Sequence, residues 1–307
     1  MVSTIEKALQ KQREQAEKQA RDKAQAAEEQ PQSSVEAQAE TCLQSNDVET
    51  TQADAVTSVS NSTSTPKTNF IDLEHTKSEG FVSGQDRNAI NEEFRAVKRK
   101  VLNNAFGPLA KTLDNSNIIM VTSPNPGEGK TFTAINLALS IALEQDKTVL
   151  LVDADVLRPN VMRTIKQPFG NGLMEYLLGE VDDLSEVIYH TSLDKLKIIP
   201  AGKGHHLSTE LLASTKMLDT VNEFSTRYSD RVVIFDTPPL LGINETAVLA
   251  NLAGQALIVV QEGKTSLTKL SKAVEQLNPE MAKGFIMNKV TKNSSDDISY
   301  GYYYSQQ

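Results

Sequence analysis

A chain of 307 residues with 40 acidic against 31 basic side chains and a net charge of -9 has length for about two domains and little cationic material for gripping nucleic acid. Its single cysteine, Cys42, excludes an internal disulfide and a cysteine-rich metal site, and no apolar run reaches the roughly 18 residues needed to cross a bilayer. The first residues include Glu6 and Lys7 and no apolar stretch, so a secretory leader is not expected and a cytoplasmic protein is.

Residues 1–85 read as a low-complexity extension. Segment 3–30 is dense in Gln, Lys, Glu and Ala, which favour helix, and Ser3 with Glu6 has the spacing of a capping box. Its apolar stripe is thin, so such a helix alone is marginal. Segment 31–66 holds five acids and no Lys or Arg, and it buries too little apolar surface to offset its ordering entropy. It is expected to be a disordered linker, with Cys42 a free thiol within it.

A folded domain is expected over 86–290. Ile90, Phe94, Val97 and Val101 fall on one face of a helix. Short apolar runs at 118–122, 149–153, 196–200, 232–236, 256–261 and 285–288 then alternate with helical stretches such as 131–144, 216–228 and 267–277. Continuously apolar short strands are those buried on both faces of a parallel sheet. The alternation therefore predicts an α/β doubly wound, mostly parallel sheet. Residues 291–307 form a tail, expected to be mobile, in which Tyr300, Tyr302, Tyr303 and Tyr304 gather four of the chain's seven tyrosines.

The strongest chemical signal follows the first long strand. Ser123-Pro124-Asn125-Pro126-Gly127-Glu128-Gly129-Lys130-Thr131-Phe132 keeps the Gly-Lys-Thr ending of a phosphate-binding P-loop, with Pro124 where the first glycine usually stands. Glycines let successive backbone N–H groups turn toward one phosphate, and the following helix offers its N-terminus to the anion. Residues 126–132 are thus candidates for holding nucleotide phosphates. Lys130 is expected on the β- and γ-phosphates and the Thr131 hydroxyl on Mg²⁺, with ATP as the nucleotide. Two later strands end in acids, one in Asp153 and Asp155, the other in Asp236 before Thr237-Pro238-Pro239. The C-terminal edge of a parallel strand is where such sheets place ligands, so Asp153 and Asp236 are candidate metal residues. Asn288, ending the last strand, is a candidate for reading the base or simply a turn residue.

Together these motifs resemble the bacterial tyrosine kinases, P-loop relatives of partition and division-site ATPases, and most of all their stand-alone subgroup associated with exopolysaccharide export. The resemblance spans about 88–290 and the tyrosine tail, and segments 3–10 and 92–106 are also similar to that subgroup. It implies a protein-tyrosine autokinase using Lys130, Asp153, Asp155 and Asp236, with one of the paired acids 153 and 155 accepting the phenolic proton. It implies phosphorylation of Tyr300, Tyr302, Tyr303 and Tyr304, in trans within a homo-oligomeric ring joined through Glu92, Arg95 and Lys98. It further implies a membrane polysaccharide co-polymerase as activator, which would hold the protein at the inner face of the membrane, and a tyrosine phosphatase as antagonist. Three positions depart from the family pattern. Lys98 stands for an arginine of the ring motif, Leu157 for an arginine after the first acid of the second Walker motif, and Glu245 for an aspartate. A partition-type ATPase is the alternative, although Asn125 replaces the extra lysine those proteins carry in the loop. A scaffold that binds ATP and transfers nothing is the third reading.

Overall fold

The computed structural model describes residues 69–74, 76, 80–83 and 89–291. The N-terminal segments 3–30 and 31–66, Cys42 and the four tail tyrosines lie outside the described residues.

Eight strands build one sheet in the order β1-β4-β5-β3-β6-β2-β7-β8. They are β1 (Phe70–Ile71), β2 (Ile118–Thr122), β3 (Thr148–Asp153), β4 (Tyr189–Thr191), β5 (Leu196–Ile199), β6 (Arg231–Asp236), β7 (Gln255–Gln261) and β8 (Ala282–Asn288). The six strands from β5 to β8 in that order are mutually parallel. β4 pairs antiparallel with β5, and β1 pairs parallel with β4, so these two run against the rest. The six long strands are the six expected from the apolar runs. β1 and β4 were not anticipated, because two or three residues are too few to show a period.

Helices cover both faces. On one face lie α1 (Ala89–Phe106), α2 (Lys130–Ala142) and α3 (Val161–Thr164), packed on Ile119, Val121, Leu151 and Ile234. On the other lie α4 (Leu173–Leu178), α5 (Ser208–Leu212), α6 (Thr215–Thr226), α7 (Asn244–Ala250) and α8 (Leu267–Val274), packed on Met120, Val152, Phe235 and Ile258. Alternate residues of each central strand feed the two cores, which explains why the strands read as unbroken apolar runs. α1 confirms the expected stripe, burying Phe94 and Val101.

The core also takes in residues that composition had placed in the extension. Ile71, Leu73, Phe81 and Val82 are all buried. Val82 N–H donates to Asn136 Oδ1 at 2.7 Å, and Phe81 packs on Phe132 with ring centroids 5.4 Å apart. The described residues between 69 and 83 therefore cover the sheet edge and the helix that carries Thr131 and Phe132.

Among the described residues, no helix is long and apolar enough to cross a membrane.

Candidate nucleotide-binding site

The chain leaves β2 through α2 toward β3, and leaves β6 through α7 toward β7. These connections depart in opposite directions across the sheet. A crevice opens at the C-terminal ends of the strands where such a reversal occurs. The loop 123–129 follows β2 there, Asp153 ends β3, and Asp236 ends β6 in register with Asp153.

The loop turns on two glycines. Gly127 has φ +78° and Gly129 φ +100°, conformations that side chains other than glycine's rarely adopt. Gly129 precedes α2 without a capping side chain, and the first intrahelical bond is Thr133 N–H to Gly129 O at 3.0 Å. The amides of Lys130, Thr131 and Phe132 thus have no intrahelical acceptor, the arrangement that suits an anion.

The loop is held from behind by groups the sequence did not single out. The buried Glu128 carboxylate accepts from Asn125 N–H (2.9 Å), from Asn125 Nδ2 (2.8 Å) and from Thr265 Oγ1 (2.5 Å). Glu128 therefore belongs to the cradle by its backbone, while its side chain points into the protein. Asn288 Nδ2 donates to Glu128 O at 2.9 Å, and Lys289 Nζ donates to Gly127 O at 2.7 Å. A Cβ on Gly129 would sit 2.0 Å from Asn288 Nδ2. Asn288 thus buttresses the loop, which is a different task from the base contact considered for it. Thr265 and Lys289 carried no sequence signal, because each is more than 130 residues from its loop partner.

The charged centre is buried. Lys130 Nζ lies 2.6 Å from Asp155 Oδ2, with both side chains nearly buried. Asp155 Oδ1 accepts from Arg158 N–H at 3.1 Å. Asp153 Oδ2 accepts from the amides of Asn160 (3.0 Å) and Val161 (2.9 Å) at the start of α3. Asp236 is 0% exposed, and neither of its carboxylate oxygens has a hydrogen-bond partner. Nearby in the sheet, Gln261 buries an unpartnered Oε1 in register with Asn288.

Burial dominates the titration of the acids. It lifts Asp153 to about 8, with the charges of Asp236 and Asp155 adding and the two amides opposing. It lifts Asp236 to about 6, while Lys130 and the adjacent Thr131 hydroxyl, outside hydrogen-bonding geometry, pull it down. Burial alone would lower Lys130, but Asp236, Asp155 and Asp153 outweigh it and hold the ammonium above its usual value. A group of acids this desolvated, beside one lysine, is poised for a cation.

Two unpartnered buried oxygens at Asp236, the neighbouring Thr131 hydroxyl and a row of helix-terminal amides fit a magnesium nucleotide. Mg²⁺ typically takes one or two protein oxygens and completes its shell with water and phosphate. Among the described residues no cluster of three or more His, Cys, Asp or Glu could hold a metal on its own. Asp153 is less free to coordinate than Asp236, since one of its oxygens already takes two amides.

Glu92, Arg95 and Lys98 do not form one surface group. Glu92 and Arg95 are exposed and pair with each other at 2.5 Å. Lys98 is 6% exposed and turned inward, its ammonium 2.5 Å from Glu144 Oε1 and 3.2 Å from Ser140 O beside α2. Lys98 ties α1 to α2 within the chain.

A parallel-centred sheet, a P-loop and strand-end acids define a P-loop nucleotide-binding protein, and the AAA-domain family profile matches residues 116–287. The chain is 33% identical over 217 residues to the tyrosine-protein kinase YwqD of Bacillus subtilis, covering 69% of this chain and 86% of that protein. It is 34% identical over 187 residues to the tyrosine-protein kinase Etk of Escherichia coli K12, covering 60% of this chain but only 25% of that longer protein. Among solved structures, the chimerical protein CapA2B2 superposes with a TM-score of 0.60 at 25% identity, covering 68% of this chain and 88% of that one. The kinase domain of Etk superposes with a TM-score of 0.56 at 26% identity, covering 73% and 92%. The chain belongs to the AAA-domain P-loop proteins and, within them, to the bacterial tyrosine-protein kinase family.

Proposed function

We propose that the protein transfers the γ-phosphoryl group of ATP to tyrosines of its own C-terminal cluster. The observation that carries this reading is Asp236, fully buried with both oxygens unpartnered, between Lys130, Thr131 and the paired acid Asp153. Such a carboxylate is costly to keep unless a cation arrives to meet it.

Each residue then has a task. The amides of Lys130, Thr131 and Phe132 receive phosphate oxygens. Lys130 exchanges Asp155 for the phosphates and offsets their charge. Asp236 and Thr131 hold Mg²⁺, which when bound neutralises charge on the transferring group. A phenol ionises near pH 10 and needs an acceptor for its proton. Asp155, freed of Lys130, is that acceptor, and Asp153 stays pinned to the start of α3 and fixes the turn that carries Asp155. The phenolic oxygen forms the new bond to phosphorus, the bridging oxygen leaves with ADP, and the proton passes to Asp155.

Tyr300, Tyr302, Tyr303 and Tyr304 are the acceptors in this reading, modified in trans between copies of the chain. Each phosphotyrosine adds roughly -1.5 to -2 charges. Several of them beside Asp153, Asp155 and Asp236 repel, so phosphorylation loosens the assembly. A membrane co-polymerase as activator, a phosphatase as antagonist, a place at the inner membrane face and a role in exopolysaccharide export complete the proposal.

The test incubates the purified chain with γ-labelled ATP and Mg²⁺ and maps label on the tail. Label at 300–304 that Lys130→Met reduces by about a hundredfold or more supports the kinase. Free phosphate with an unlabelled tail overturns it in favour of a partition-type ATPase, and no turnover at all favours the scaffold.

A further inference from the structure

The end strand β8 carries an unexplained surface. It closes the sheet order on one side, and among the described residues no strand lies beyond it. Phe285 is 56% exposed, Met287 62% and Val290 51%. The register places Phe285 beside Ile258 and Met287 beside Val260, on the face that α8 covers. α8 shields Ile258 yet leaves the two β8 side chains open. An apolar, unpaired edge is a template for another strand, and natural sheets normally blunt such edges.

The backbone of that edge is also available. Ala282 N–H bonds Gly254 O, and Glu262 N–H bonds Asn288 O. In a regular parallel ladder the even residues 282, 284, 286 and 288 therefore face β7, and Lys283, Phe285 and Met287 direct their N–H and C=O groups outward.

We propose that residues 298–304 of this chain add to β8 as an antiparallel ninth strand. The chain leaves the described fold at Thr291, three residues beyond β8, with 16 residues still to come. Ser294, Ser295, Asp296 and Asp297 supply turn-forming residues, and the following stretch reads Ile298-Ser299-Tyr300-Gly301-Tyr302-Tyr303-Tyr304. Its seven residues match the seven of β8, its Ile and Tyr residues favour strand, and it holds no proline. Period-2 alternation puts Ile298, Tyr300, Tyr302 and Tyr304 on one face. The apolar pattern selects the register with Ile298 opposite Met287 and Tyr300 opposite Phe285. Slipping by one residue would set Ser299 and Gly301 there instead.

The consequence is a stored acceptor. Tyr300 and Tyr302 lie against β8 and not in a catalytic crevice, and a phosphate on Tyr300 would place a dianion on Phe285 and release the strand. The same strand ends in Asn288, and Lys289 follows it; their side chains hold the loop carbonyls of Glu128 and Gly127. Docking and release thus act on the segment that supports the nucleotide cradle.

Residue-resolved hydrogen exchange on the full, unphosphorylated chain tests this without ATP. The amides of Lys283, Phe285 and Met287 should exchange about tenfold or more slowly than in a chain ending at Thr291, and those of Gly284, Ile286 and Asn288 should not change. Tyr300→Asp in the full chain should reproduce the truncation. Equal exchange in the full and shortened chains overturns the proposal. Protection that grows with protein concentration overturns it as well, because the occupant is then a second copy. Docking and catalysis separate cleanly, since exchange needs no phosphoryl transfer and tail labelling needs no ninth strand.

Discussion

Burial governs the charge of Asp153 and Asp236 at the ends of β3 and β6. The folded pKa of about 8 at Asp153 lies well above the usual carboxylate value of about 4. Between those limits the folded chain holds a proton that the unfolded chain has released. Stability therefore falls as pH rises through that window, and Asp236, raised to about 6, adds to the fall at its lower end. Urea melts of the nucleotide-free protein at about pH 5 and pH 8 should show this loss, and Asp153→Asn should flatten it. A difference between wild type and variant that is the same at both pH values would mean that the acids are ionised throughout. Asp236→Asn should raise the melting temperature of the nucleotide-free protein at pH 8 by a few degrees, as about 1–3 kcal/mol of uncompensated burial is removed, and should abolish the shift caused by magnesium-ATP. Lys98 was the residue least readable in advance. Its helical spacing with Glu92 and Arg95 was visible, but its inward turn depends on Glu144 and Ser140, contributed by a distant part of the chain.

Among the elements, the six long strands and α1, α2, α6 and α8 were legible because their apolar periods are strong. Their ends differ by a few residues. β1 and β4 gave no signal, since pairing with a neighbour rather than periodicity makes them strands. The supports of the P-loop were illegible for a related reason: Asn288 and Lys289 are 160 and 162 residues from the carbonyls they hold. That support yields a sharp expectation. Gly129→Ala suffers twice, from φ +100° and from a Cβ placed 2.0 Å from Asn288 Nδ2. Titration with a fluorescent ATP analogue should show about a tenfold or greater loss of affinity. Asn288→Ala in the same chain should restore part of it by removing the collision, though not the backbone strain. No recovery in the double variant would place the whole effect in the backbone.

For the molecule as a whole, the core begins before residue 86, where the apolar pattern placed the start of the folded domain. Ile71, Leu73, Phe81 and Val82 belong to the core, and the contact from Phe81 to Phe132 joins this strap to α2, the helix that follows the P-loop. A chain beginning at residue 69 should melt like the full protein. One beginning at residue 86 should lose several kcal/mol, since each fully buried apolar side chain contributes about 1.5–3 kcal/mol, and should bind ATP more weakly. Equal melting temperatures for the two truncations would reduce the strap to a passive covering. The reversed direction of β1 has a geometric result as well. Because β1 runs against the six central strands, Asn69 enters at the edge where those strands end, the same edge from which Thr291 departs. Seven inter-strand spacings of about 4.8 Å separate the two points, roughly 34 Å across the sheet. Both ends of the described fold therefore open on one rim, the rim on which the loop 123–129, Asp153 and Asp236 also lie.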